Sequence, residues 1–89
     1  MTGTVSIERE GGKTFVVLSE DFTLDGAPDP KLGFGNDGDF DADTIFAKLE
    51  TLTGSQRYEV PPSLKIADYD TFTVWCEQFS VPLGSASLN

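Results

Sequence analysis

The sequence predicts an all-β domain, an antiparallel β-sandwich or partly open barrel of about seven or eight short strands with at most one short helix. Apolar residues recur at every second position in short runs, and Gly, Pro and Asp separate those runs. Size adds a third constraint: 89 residues can bury one core only, so residues 1–89 are read as a single domain.

Val5 and Ile7 alternate with Ser6 and Glu8, and Glu10-Gly11-Gly12-Lys13 then reads as a hairpin into Thr14–Ser19. Phe15, Val16, Val17 and Leu18 are apolar on both faces, so this strand is expected to be central and covered on each side. Asp25 to Pro30 holds two prolines, which fix φ and remove donors, so it is a shaped turn. Lys31–Gly35 resumes a strand, and the Asn-Asp-Gly-Asp run from Asn36 is expected to be a solvated loop. In Thr44–Leu52, Ile45, Phe46, Leu49 and Leu52 suit a helical stripe, while Ile45, Ala47 and Leu49 suit a strand face; strand is the favoured expectation.

Gln56–Val60 is the next strand, stopped by Pro61-Pro62. Leu64 and Ile66 predict a brief edge strand, and Asp68–Asp70 a turn. Thr71–Phe79 is the strongest strand signal, being rich in Thr, Phe, Val and Trp. A period of two places Phe72, Val74 and Cys76 on one face and Thr73, Trp75 and Glu77 on the other. Pro82 opens a final strand, Leu83–Leu88.

Leu, Ile, Val and Phe exceed a quarter of the chain, enough apolar side chain to fold. Six basic and fifteen acidic residues give a net charge of -9, which repels phosphate backbones and anionic lipid, so no nucleic-acid partner is expected. No apolar run approaches the length of about 18 residues that a membrane span needs, and the first residues lack the basic and apolar regions of a signal peptide. There is no histidine. Hydrolytic triads therefore have no general base, haem has no usual proximal ligand, and no cofactor is predicted; an enzyme acting on its own is not expected.

Several segments in order resemble the DM13 family, a small β-rich module of secreted and surface proteins. The residues that carry the resemblance are Gly3-Thr4-Val5, Asp21-Phe22, Gly26-Ala27-Pro28-Asp29, the run from Leu52 through Gly54, Gln56, Tyr58 and Val60 to Pro61, and Val74-Trp75-Cys76-Glu77-Gln78-Phe79-Ser80-Val81-Pro82-Leu83-Gly84. They span nearly the whole chain. The resemblance implies a sandwich-like fold, an extracytoplasmic (periplasmic, secreted or surface-anchored) setting, and an electron-transfer or redox role centred on Cys76. This chain has Gly-Ala-Pro-Asp where many members have Gly-Pro-Asp, so the turn is expected to differ by one residue.

Two readings of Cys76, the single cysteine, stand side by side: a redox thiol, or a small buried apolar residue with blunted reactivity. In the second, the domain is a protein-binding or adhesion module. Burial beside Phe72 and Val74 argues against pairing between chains, so a monomer is expected. Trp75 and Tyr58 are supporting candidates that also suit packing anchors, and Asp29 one that also suits a turn cap. The acidic run invites a calcium alternative, with Asp39, Asp41, Asp43 and Glu50 at EF-hand positions 1, 3, 5 and 12. Position 6, which needs glycine, is Thr44, so a solvated acidic turn is the better reading and no metal is predicted.

Overall fold

The computed structural model describes residues 1–26 and 28–88. Eight strands form two antiparallel sheets packed face to face, the sandwich of the two expected alternatives. One sheet has the order β1 (Val5–Glu10), β2 (Lys13–Leu18), β6 (Gln56–Val60); β1 and β2 are joined by Gly11-Gly12 at φ 58° and 79°. Two central residues with positive φ make the tight turn whose twist matches a β-hairpin. β2 is central, as expected, but no second layer covers its outer face. Phe15 lies there beneath the Arg57 guanidinium, 3.5 Å from its ring centroid, and Arg57 is in turn held by Glu8 and Glu10.

The other sheet runs β4 (Asp39–Asp41), β3 (Pro30–Asn36), β7 (Thr71–Cys76), β8 (Val81–Ser87), with the two-residue β5 (Ala47–Lys48) also on β3. Inward residues Leu32, Phe34, Phe72 and Val74 meet Val16, Leu18, Tyr58 and Val60 of the first sheet, and Phe22, Leu24 and Leu49 close the core. Phe34 is its aromatic hub, stacked on Phe46 at 5.5 Å and meeting Phe72 edge-on at 5.9 Å.

Four further expectations are corrected. The loop at Asn36 is a tight hairpin: Asp37 (φ 53°) and Gly38 (φ 83°) join β3 to β4, and the Asp70 carboxylate accepts from Asp37 N–H at 3.2 Å. Thr44–Leu52 is neither one helix nor one strand. A 3₁₀ turn at Ala42–Thr44 leads through β5, because this segment follows the edge of β3 rather than forming a ladder of its own. Leu64–Ile66 is no edge strand: Leu64 N–H turns back to the Pro61 carbonyl at 3.0 Å, and Ile66–Asp68 is a 3₁₀ turn. β7 ends at Cys76, and Glu77–Ser80 turns tightly into β8, with Ser80 at φ 54°.

Between β4 and β5, Thr44 completes the edge of β3 with its side chain. Its buried hydroxyl accepts from Phe34 N–H at 2.7 Å and lies 2.6 Å from the Asp41 carbonyl. Thr44→Val keeps the shape but orphans the Phe34 donor, and stability in urea denaturation should fall by about 1–3 kcal/mol.

Candidate functional site

The ladder between β3 and β7 sets Cys76 opposite Pro30, and β8 places Val81 on its other side. Cys76 is a free cysteine, 1% exposed, at the end of the inward face of β7 with Phe72 and Val74. Its Sγ donates to the Pro28 carbonyl at 3.2 Å. The sulfur is thus covered by the Pro28-Asp29-Pro30 turn, whose first two residues are exposed.

That turn is held in an uncommon shape. Asp29 sits between two prolines at φ 53°, a left-handed conformation that Asp and Asn tolerate better than other side-chain-bearing residues. Its carbonyl accepts from Glu77 N–H at 3.3 Å, which ties the turn to the residue after Cys76. Outside the sheet, Lys31 Nζ lies 3.1 Å from the Asp29 carboxylate and 3.0 Å from that of Glu77. The Lys31 ammonium is held above its ordinary pKa of 10.5, first by the hydrogen bond to Glu77 and then by that to Asp29. Sequence reasoning missed Lys31. Its local signal was its place two residues after Asp29; Trp75 is its partner across the β3–β7 ladder, and Glu77 reaches it from just past the end of β7.

Trp75 is adjacent to Cys76 but points to the opposite face, as period two requires. Its ring stacks on Phe40 at 4.3 Å with planes 10° apart, over the space that Gly33 leaves on the outer face of β3. Tyr58 belongs to the other sheet. Its hydroxyl donates to Gln56 Oε1 and accepts from Glu50 N–H at 3.0 Å, and burial raises its pKa. The preceding N–H, of Leu49, donates to the Pro30 carbonyl at 2.9 Å. Tyr58 therefore braces the segment that braces the turn, and reaches the site through two neighbouring backbone bonds.

Among the described residues, no three acidic or sulfur-bearing side chains gather as a metal-holding group. Asp39 and Asp41 lie on strand β4, Asp41 accepts from Asp43 N–H at 3.0 Å, and Glu50 stands in the segment fastened to Tyr58. The four calcium candidates are spread along a strand, a 3₁₀ turn and a separate segment. Ala27, where the turn departs from the usual Gly-Pro-Asp, lies outside the described residues. No described helix is long and apolar enough to cross a membrane.

Fold and site define a small two-sheet β-domain carrying one covered free thiol beneath a charged, proline-bounded turn. The chain belongs to the DM13 family: the family model described as electron transfer DM13 matches residues 1–88. No curated protein and no solved structure matches it.

Two measurements check how the turn is held. Asp29→Ala should cost about 1 kcal/mol more than Asp29→Asn in urea denaturation, since Asn keeps the tolerance for positive φ and both lose the charge. Because the folded pKa of Lys31 is raised, its contribution is complete below 10.5 and is lost as pH climbs through the folded value. The difference in urea midpoint between wild type and Lys31→Met should hold constant to about pH 10 and narrow above it.

Proposed function

We propose that this chain is an extracytoplasmic electron-transfer domain whose redox group is the Cys76 thiol, gated by the Pro28-Asp29-Pro30 turn. The observation that carries this reading is the Sγ–H bond to the Pro28 carbonyl. The thiol is tied to a turn with two exposed residues and a left-handed aspartate, so a local opening uncovers it without dismantling the sheets. The family description supplies electron transfer, and Cys76 is the one sulfur in the chain besides Met1.

The step that suits a single thiol is exchange with a disulfide of a partner protein. With the turn open, Cys76 gives its proton to solvent, and the thiolate attacks one partner sulfur; a new S–S bond forms while the partner's breaks and its second sulfur leaves as thiolate. A donor dithiol then attacks the Cys76 sulfur, releasing the first partner as its second thiolate, and closes its own disulfide to release Cys76. Two electrons have passed from dithiol to disulfide.

A second reading rests on a different observation. Phe79 at the tip of the β7–β8 turn is 62% exposed, and Val81 beside it is exposed as well. Such an apolar tip suits a protein-binding module in which Cys76 only packs.

Labelling of the native protein with a disulfide reagent separates the two. On the redox reading, Cys76 labels stoichiometrically at a rate insensitive to low urea, because only the turn opens, and Asp29→Ala labels faster. A labelling rate that follows global unfolding across the urea range leaves the binding module as the surviving reading.

A further inference from the structure

Far from the thiol in sequence, the β1–β2 hairpin end and the segment after Pro61 enclose a cavity of about 390 Å³. Its floor is apolar, formed by buried Val60 and half-buried Leu64 and Ile66, and its sides carry Arg9, Lys13 and Lys65. Half of the chain's six cations therefore converge on one hollow in a molecule with fifteen acids. A single acid, Glu59, lines it, and that carboxylate is 3.8 Å from Lys13.

Outside the hollow, Lys48 forms no ion pair among the described residues, whereas the other two cations are paired, so the gathering of cations around one hollow is what sets this place apart. Lys31 is clasped by two carboxylates and Arg57 lies between Glu8 and Glu10. Among the described residues Arg9 and Lys65 form no ion pair and no hydrogen bond through their charged ends. Arg9 and Lys65 line the same apolar hollow without a carboxylate partner, and a bound anion offsets the like charge gathered there. The walls are preformed. The hairpin is set by its two glycines, and Pro61-Pro62 with the Leu64-to-Pro61 bond fixes the other side. The volume falls in the range of small-ligand sites, roughly 300–1,000 Å³.

We propose that this cavity is a binding site for a small organic anion with an apolar body, such as an aryl or alkyl carboxylate or sulfonate. The charged end sits between Arg9 and Lys65, and the apolar body covers Val60, Leu64 and Ile66. The site is independent of Cys76 and serves either functional reading.

The test uses 8-anilinonaphthalene-1-sulfonate as probe, with fluorescence titration of the full chain and proton–nitrogen NMR shifts to locate it. One saturable site is expected, with the largest shifts at Thr14, Val60 and Ile66. Arg9→Gln and Lys65→Gln should each weaken binding at least fivefold, and N-phenyl-1-naphthylamine, which lacks the sulfonate, should bind at least tenfold more weakly. Lys48→Gln, the same change of charge at an exposed cation outside the cavity, should leave affinity within twofold. The proposal is overturned if no saturable binding occurs up to millimolar probe or if the shifts map elsewhere. It is overturned equally if Lys48→Gln weakens binding as much as Arg9→Gln does, or if the uncharged analogue binds as well as the sulfonate.

Discussion

The structure depends on the alternation Leu32-Gly33-Phe34-Gly35 in β3. The inward residues are fully buried and give the core its centre. The outward positions must carry no side chain: a Cβ on Gly35 would lie 2.1 Å from the Asp39 carbonyl, and one on Gly33 would lie 2.8 Å from the Phe40 ring and 2.9 Å from Thr44 Oγ1. These bare positions let the β3–β4 hairpin close tightly, let Thr44 reach the Phe34 N–H, and let Phe40 lie flat on the sheet against Trp75. A strand usually stabilises a sheet through side chains on both faces; here the outer face is built by approach of backbone and ring to glycine.

The candidate site follows from the same strand. Pro30 opens β3, so the chain must enter from the Pro28-Asp29 turn without a ladder, and the β3–β7 register fixes Cys76 opposite Pro30. The sulfur then has the Pro28 carbonyl within reach, while Lys31, one residue on and facing outward, gathers Asp29 and Glu77. Other segments of the family resemblance also become fastenings. Gly3, at φ 98°, sits where a Cβ would strike the Phe22 backbone at 2.6 Å, and Ser19 Oγ joins Thr4 N–H to the Asp21 carboxylate. Gln56 bonds the Thr51 carbonyl and the Tyr58 hydroxyl together. Much of what marks the family in this chain is thus the means by which loops are secured in a domain with no disulfide.

What the sequence revealed, and what it hid, divides by the range of the interactions. The β1–β2 hairpin, β6 and the inward set Phe72, Val74 and Cys76 were legible because period two and Gly-Gly are local signals. The β3–β4 hairpin was missed although Asp37-Gly38 is a strong local signal, since the surrounding aspartates read as a solvated run and only a three-residue strand follows. Leu64 and Ile66 alternate as a strand would, but the preceding prolines and the bond from Leu64 N–H back to the Pro61 carbonyl make a turn of this segment. The pairing of Lys31 with Glu77 and the placement of Arg9 and Lys65 around one hollow were beyond local reading, for each depends on segments brought together from distant parts of the chain.

Covering the thiol has a physical consequence on the redox reading. A sulfur that reacts only when its turn opens is slowed by the free energy of opening, tenfold for every 1.4 kcal/mol or so, so an opening cost of about 4 kcal/mol slows it roughly a thousandfold. Small oxidants meet that full penalty, because they make no contacts that favour the open turn over the closed one. A protein partner that docks on the exposed tip at Phe79 and Val81, next to the end of β7, can bind the open form more tightly and so draw the equilibrium toward it by its difference in affinity. On the redox reading, the buried sulfur and the exposed apolar tip, which separately favour different readings, would serve together, the tip recognising a partner and the turn admitting it.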